Sequence, residues 1–487
     1  MAGKSSQGAD FFAPMRFEAT IEDCIVEGEL PRDLRGTFYR SCADRRFPAM
    51  YADDTPYNSD GAVDMFRFYD GNVDFKSRYV RTPRYLAERA AHKVLFGRYR
   101  NRLTSDPSVR NVSHNTANTT PIIHGGRLFS MKEESLPTAM DPHTLETVGE
   151  WDFNGTLKTV SFTAHPKQDP DTGEMIAFAY EATGDCSDDL AVLIFDREGN
   201  LTRDIWFKTP VVSMMHDMAI TDRHVILPTT AMVTSRERLE RGQLHWAYDP
   251  DCPAYVAIVP RDGTSKDVRW FKGTPDQAML VHTTNARTEG NKVILEAPVA
   301  QENFHQYFPR VDGTKSDPSR YYPTLRRWTF DLDSDKDTWE EEILFDGLKV
   351  TSFSRMDDRY ITKPFRYSYM MMNDPTLPIN RDFADTLAVR VSNAWFRFDH
   401  QTGGIAKYSP GDAHGISEPQ FIPRHSGAAE GDGYLVGVVN NFRAMRSELV
   451  LVDAMNIEAG AIAKVIMPFR LHMQVHGYWA SDETLPF

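Results

Sequence analysis

Short apolar runs separated by Asp, Gly and Asn turns recur along this chain almost without interruption, and that texture limits its fold more than any other feature. Residues 63–69 (VDMFRFY) lead through Asp70-Gly71-Asn72 into 73–80 (VDFKSRYV), and 190–195 (LAVLIF) return as 201–207 (LTRDIWF) after the turn DREGN. The same rhythm pairs 255–260 with 267–272, 326–332 with 339–345, 387–398 with 405–408, and 433–440 with 447–452. Asp-Gly and Gly-Asn turns between alternating apolar runs signal β-hairpins, because these residues accept the positive φ that tight hairpin turns need. Helical periodicity is scarce: 83–97 carries the clearest example and 234–242 a weaker one. No Pro/Gly/Ser-rich linker interrupts the series. The expectation is one all-β domain over 1–487, with a short flexible N-terminus of residues 1–10.

So long a run of hairpins must hide its sheet edges, which otherwise invite pairing with other chains. A propeller or a large barrel does that. Seven four-stranded blades with their loops would take roughly 60–70 residues each, a lengthened version of the usual propeller repeat. No clean internal repeat marks the blades, so periodicity alone does not select the propeller.

Four histidines sit in distinctive local phrases: His165 in AHPKQDPDTGE, His216 in MMHDMAIT, His282 in VHTTNA and His476 in QVHGYW. Neutral imidazole is a ligand for iron, zinc, copper or nickel. Remote imidazoles converge only where a fold brings strand ends to a common axis. The spacings from His165 to His216 and on to His282 are 51 and 66 residues, about one blade per step. A lone histidine among fifteen is more often a surface or core residue than a ligand, so the weight rests on the set.

A formal net charge of −14 argues against nucleic-acid binding and against attraction to an anionic membrane surface. The four cysteines, Cys24, Cys42, Cys186 and Cys252, are scattered with no C-x-x-C pair, which disfavours a cysteine-type zinc site and fits a reducing compartment. The first residues, MAGKSSQGADFFAP, lack an apolar run of signal-peptide length. No segment approaches the roughly 20 apolar residues of a membrane span. A soluble, cytoplasmic protein is expected, with no stable membrane association and a homodimer left open.

Several longer phrases resemble the carotenoid cleavage oxygenase family, nearly end to end and in the family's order. LPRDLRGTFYR (30–40) looks like its opening LP-x-x-L-x-G-x-x-x-R, NSDGAVDMFRF (58–68) like its D-G-x-x-x-x-F segment, and AHPKQDPDTGE, HDMAIT, SEPQFIPR and VHGYW like its later motifs. FGRYRNRLTSDPSVRNVSHNTANT (96–119) and LFSMKEESLP (128–137) resemble the stilbene-cleaving branch, the lignostilbene dioxygenases.

The resemblance implies a seven-bladed β-propeller, with a few short helices and loops capping the active-site face and one non-haem Fe(II) on the axis. His165, His216, His282 and His476 would hold the metal; His472 competes with His476, which is preferred for its HG-x-W phrase. Glu133 and Glu418 match glutamates that orient ligand imidazoles through their second nitrogens. A third such glutamate normally falls in an E-F-P-R phrase, where this chain reads Ser352-Phe353-Ser354-Arg355. That departure leaves one imidazole, that of His282, to another partner. Thr119 matches a small residue beside an open coordination position.

In the stilbene-cleaving branch, Tyr99 and Lys132 match residues that engage a 4-hydroxyl, so that a phenolate pushes electron density toward the alkene. Without the family, Lys132 reads as a surface lysine at a strand end and Tyr99 as a packing aromatic. Tyr57 falls where relatives place a ring-stacking phenylalanine. The aromatic cluster Phe304, Tyr307 and Phe308 and the run Met370–Met372 read first as core. Residues 81–102 form a basic stretch with an apolar face that either packs on the propeller or touches a membrane.

The reading is therefore an Fe(II) dioxygenase that uses O2 to cleave the central double bond of a small phenolic stilbene into two aromatic aldehydes of the vanillin type. An apocarotenoid or phenylpropene (isoeugenol-type) double-bond cleaver is the nearest alternative. A non-catalytic binding propeller is a second, and a zinc hydrolase a third, although catalytic zinc usually keeps only three protein ligands.

Overall fold

Among the described residues, seven antiparallel sheets of four or more strands close into a seven-bladed β-propeller, and a two-stranded ribbon pairs Met232–Val233 with Ala247–Tyr248. The computed structural model describes residues 11, 13–303, 305, 307–317, 320–346, 349–377 and 392–485, with residues 349–352 and 473 described by their backbone alone. Residues 1–10, expected to be a flexible terminus, and Phe304 lie outside that set, as does the side chain of Ser352.

Ring closure uses both ends of the chain twice. Met473–Ser481 pairs antiparallel with Gly36–Ala43, in a sheet completed by Gly61–Tyr69, Asn72–Tyr79 and Ala19–Ile21. In the neighbouring sheet, Ile25–Gly28 pairs with Ala461–Ile466. Phe38, Phe66, Phe75, Leu449 and Val465 are buried together between these two blades, so apolar packing seals the ring where the chain ends meet. A closed ring of sheets answers the edge problem posed by the hairpins.

The predicted hairpins form where the turn residues place them. Asp70 and Gly71 adopt φ of 48° and 85°, the double positive φ of a type I′ turn, between Gly61–Tyr69 and Asn72–Tyr79. Strand ends lie within two residues of those expected, apart from one strand that falls partly outside the described residues. The expected strand over 267–272 begins at Arg269, because Thr264 caps a short 3-10 turn, Ser265–Asp267. The expected strand over 387–398 is described only as Ala394–Asp399, residues 387–391 lying outside the described set.

Helix is limited, among the described residues, to Pro83–Ala91, Arg236–Glu240 and short 3-10 turns. The first stops six residues short of the predicted 97. Thr82 caps its start, Pro83 opens it, and His92 ends it in the left-handed region with φ 52°. Glu88 then draws the chain back, accepting hydrogen bonds from the backbone of Leu95 (2.8 Å) and Phe96 (3.0 Å). Its buried face carries Arg84, Tyr85 and Glu88 while Leu86 is exposed, so polar contacts as well as Tyr85 seat it on the propeller. The loop after it is pinned to the second helical segment by Asn101, whose side-chain amide donates to the carbonyls of Leu239 (3.0 Å) and Gln243 (2.6 Å).

Candidate metal centre and substrate cavity

The four phrased histidines belong to four different blades and meet at the hub. His165 precedes Lys167–Gln168, His216 precedes Ala219–Ile220, His282 follows Met279–Leu280, and His476 lies in Met473–Ser481. One ring nitrogen of each lies within 4.8 Å of the others. His216 Nε2 is 3.1 Å from both His165 Nε2 and His282 Nε2. Asp217 ties this loop to its neighbours, accepting from Thr283 backbone N (2.7 Å) and pairing with Lys167 (2.7 Å). His472 stands apart, with Nδ1 3.6 Å from Asp64 and Nε2 3.7 Å from Asp44.

Carboxylates fix the outward nitrogens of two rings. Glu133 Oε1 meets His216 Nδ1, and Glu418 Oε1 lies 3.0 Å from His476 Nδ1. A carboxylate acceptor there assigns the ring proton to Nδ1 and leaves a lone pair on Nε2, aimed at the hub. Burial holds His165 and His282 well below the usual imidazole pKa and lowers His476, so these rings are neutral. Three inward nitrogens around His216 cannot satisfy one another by hydrogen bonds alone, whereas a cation at their meeting point engages every lone pair. The donor set fits a metal ion.

Both glutamates are themselves held. Arg355 donates from Nε (2.9 Å) and Nη2 (3.0 Å) to the two oxygens of Glu418, and Gly477 N adds a third bond at 2.9 Å. Burial alone would raise the Glu418 pKa; Arg355 and His476 outweigh it and hold it at about 2. Glu133 Oε2 accepts from the Tyr180 hydroxyl, which in turn accepts from Arg100 at 2.6 Å. Arg100 continues to Glu181, and His245 Nε2 lies 3.0 Å from the same carboxylate. Burial is again outweighed at Glu133, by His216, Lys132 and Arg100, and its pKa is about 2.

Two cavities share the hub. His216, His282 and His476 face one of about 380 Å³, within the size range of small-molecule sites. His165 instead faces a second, of about 650 Å³, whose walls include Lys167, Arg355, Asp358 and Gln420. Tyr57, Tyr99, Thr119, Lys132, Glu133 and Glu418 all line the smaller cavity. Lys132 is only 5 % exposed, which removes the surface-lysine alternative. Its Nζ lies 5.0 Å from the centre of the Tyr99 ring, 6.0 Å from that of Tyr57, and 3.5 Å from Thr119 Oγ1. Burial, then Glu134 and Glu133, push the Tyr99 phenol well above its usual pKa, so it stays a hydrogen-bond donor. The Tyr57 hydroxyl lies 3.2 Å from His305 Nδ1. Of the residues read as core, Tyr307 and Met371 line the cavity, while Met370 and Met372 are fully buried.

Arg100, Tyr180, Glu181, His245, Asp217 and Arg355 were not singled out from the sequence. Arg100, Asp217 and Arg355 stood inside segments already quoted, beside residues that drew the attention, whereas no phrase marks Tyr180, Glu181 or His245. Phe353, a near neighbour of Arg355, packs its ring 4.9 Å from those of both His282 and His476. Ser354 Oγ accepts from Thr284 at 2.8 Å.

A propeller with four imidazoles at its hub and an adjoining buried cavity defines a class, and comparison with known proteins identifies it. The profile of the retinal pigment epithelial membrane protein family matches residues 12–481. The chain belongs to that family, the carotenoid oxygenases, which are double-bond-cleaving oxygenases. Lignostilbene-alpha,beta-dioxygenase isozyme III of Sphingomonas paucimobilis is 39% identical over 97% of this chain and 96% of its own length. Isoeugenol monooxygenase of Pseudomonas putida is 38% identical, covering 96% of each. The crystal structure of Pseudomonas brassicacearum lignostilbene dioxygenase superposes with a TM-score of 0.92 at 41% identity, covering 96% of each chain. A cobalt-substituted Synechocystis apocarotenoid oxygenase gives a TM-score of 0.83 at 26% identity, covering 98% of each. Among the described residues, no helix is long and apolar enough to cross a membrane.

Proposed function

We propose that this protein is a non-haem Fe(II) dioxygenase that splits the central double bond of 4-hydroxystilbenes, lignostilbene type, with O2 to give two aromatic aldehydes. One observation carries the reading. A buried lysine and a buried tyrosine share a cavity with three of the four converging imidazoles. An alkene cleaver for hydrocarbon chains has no need of a desolvated ammonium there, whereas a phenol bound at one end of the cavity gives it a partner.

His165, His216, His282 and His476 would hold the iron, which when bound supplies the redox chemistry that activates O2. Glu133 and Glu418 keep two of the rings in the tautomer that presents a lone pair inward. Lys132, a buried point charge, stabilises the phenolate form of the substrate, and Tyr99 donates its hydroxyl proton as a hydrogen bond to the same oxygen. The developing charge on the phenol oxygen then moves through the ring onto the alkene carbons, raising their nucleophilicity. Phe353, Met371 and Ile416 line the same cavity and exclude water from the alkene. Tyr57 offers a ring face for stacking, its hydroxyl occupied by His305. Thr119 keeps the space beside the hub small and anchors Lys132.

Iron-loaded protein incubated with lignostilbene and O2 should yield two aldehydes. No product above the enzyme-free control would overturn the reading. The near-equal identity to an isoeugenol monooxygenase supports a second reading, cleavage of a phenylpropene with the same 4-hydroxyl. A panel of lignostilbene, isoeugenol and an apocarotenal, compared by kcat/KM, separates them.

A further inference from the structure

The strand that carries His476 to the hub starts beside another cluster of metal-binding groups. His472 directly precedes Met473–Ser481, the strand that closes the ring. Near it lie Cys42, from Gly36–Ala43, and Asp64, from Gly61–Tyr69, the next two strands of the same sheet. One ligand atom of each of the three residues lies within 4.8 Å of the others. Cys42 and Asp64 have no exposed surface, and His472 is 5 % exposed. The residues come from remote segments and include one cysteine with no paired spacing, so no local phrase announces them.

These groups are placed for an ion rather than for one another. His472 Nδ1 lies 3.6 Å from Asp64 Oδ1, and Nε2 lies 3.7 Å from Asp44, both too far for hydrogen bonds. Neither ring nitrogen of His472, nor Asp64 Oδ1, has a hydrogen-bond partner among the described residues. Buried polar groups left unpaired in a native protein call for an explanation, and an ion supplies one. Zinc bonds of about 2.0–2.3 Å at tetrahedral angles set neighbouring donors roughly 3.3–3.5 Å apart. Asp64 comes close to that spacing on both sides, because its Oδ2 lies 3.4 Å from Cys42 Sγ. With both of its oxygens bound, the three residues supply four donor atoms.

The surroundings fit the same reading. Asp44 stands behind His472 as the outer carboxylate that a ligating histidine normally faces. Asp44 is itself fixed by the backbone N–H groups of Met15 and Arg16, at 2.8 Å each, and by the Tyr79 hydroxyl. Arg40 Nε lies 3.5 Å from Asp64 Oδ2. A coordinating thiol gives up its proton. A Cys42 thiolate, Asp64 and Asp44, set against Arg40, then leave two negative charges, which one divalent cation cancels.

We propose that Cys42, Asp64 and His472 hold a structural zinc ion that staples the closing strand to its blade. Sulfur and imidazole donors select zinc over calcium or magnesium, which take oxygen sets. Complete enclosure suits this role, since structural zinc sites are closed. The site is assembled only when the two ends of the chain meet, so the ion binds as the ring closes and adds its binding energy to folding.

Cobalt tests the assignment. A thiolate bound to Co(II) adds a charge-transfer band in the near ultraviolet, which a hub of imidazoles without sulfur does not produce. The full chain is expressed in zinc-depleted, cobalt-supplemented medium, so that the ion is present during folding. Wild type should show the band, and Cys42→Ala should abolish it while circular dichroism shows the fold intact. Wild type from ordinary medium should likewise contain zinc that Cys42→Ala lacks. No band in wild type, or a band that survives in Cys42→Ala, overturns the site. Should Cys42→Ala not fold, Cys42→Ser nearly keeps the volume and reads the same band: its loss supports the site and its survival overturns it.

Discussion

Arg355 grips both oxygens of Glu418, with Nε and Nη2 at 2.9 and 3.0 Å, and the same carboxylate reaches His476 Nδ1. A bidentate guanidinium–carboxylate pair fixes the plane of the carboxylate and, through it, the plane of the imidazole. Replacing Arg355 by Met strands a buried carboxylate charge. The expected cost is about 3 kcal/mol or more, seen as a lower denaturant midpoint. Arg355→Lys restores the charge without the fork and should recover only part of it.

Individual His→Ala changes at 165, 216, 282 and 476 should each lower bound iron at least ~10-fold, because each removes a donor that no neighbour replaces. Glu133→Gln and Glu418→Gln keep the shape but weaken the orientation, and should reduce iron affinity about 10- to 100-fold. Metal analysis after dialysis against a chelator checks both series. His472→Ala should leave iron content unchanged, since His472 lies against Asp44 and Asp64.

Lys132→Ala should lower kcat on a 4-hydroxystilbene by roughly 100-fold or more while iron content stays at the wild-type level. Tyr99→Phe removes one hydrogen bond, about 1.4 kcal/mol, and should cost about tenfold. Steady-state kinetics on iron-quantified protein distinguish these losses from metal loss. Wild-type rates in both variants would remove the phenol role.

Glu181 contributes a pH dependence that can be read without the metal. Burial would raise its pKa, but His245 and Arg100 outweigh that and hold it at about 2 against an ordinary 4.5. A depressed carboxylate pKa stabilises the fold above about pH 4.5, and that stabilisation is lost as pH falls toward 2. The size is roughly 3 kcal/mol at full ionisation. Urea midpoints measured from pH 6 down to 3 should fall, and Glu181→Gln should lower the midpoint at pH 6 and flatten the slope.

Much of the architecture was legible because hairpin turns are local. Asp70 and Gly71 adopt their positive φ because of their own residue types, Asp tolerating the left-handed region and Gly lacking a Cβ, and the paired runs on either side follow. The end of the first helix was not legible, because His92 has no intrinsic need for the left-handed region; the tertiary pull of Glu88 on Leu95 and Phe96 bends the chain there. The site divides the same way. The four histidines, Glu133, Glu418, Lys132 and Tyr99 stand in phrases that resemble a family, whereas Tyr180, Glu181 and His245 are single residues in unremarkable surroundings.

By itself, then, the amino-acid sequence determined the hairpin series, the need to close it into a ring, and which histidines stand in family-like phrases, because turn propensity and motif identity are properties of short segments. Only the tertiary structure decided what those side chains do for one another. Arg355 and Glu418 are 63 residues apart, and Arg100 and Glu181 are 81. Buried charges must find partners wherever the fold brings them, and that pairing depends on distances through space that no local pattern records.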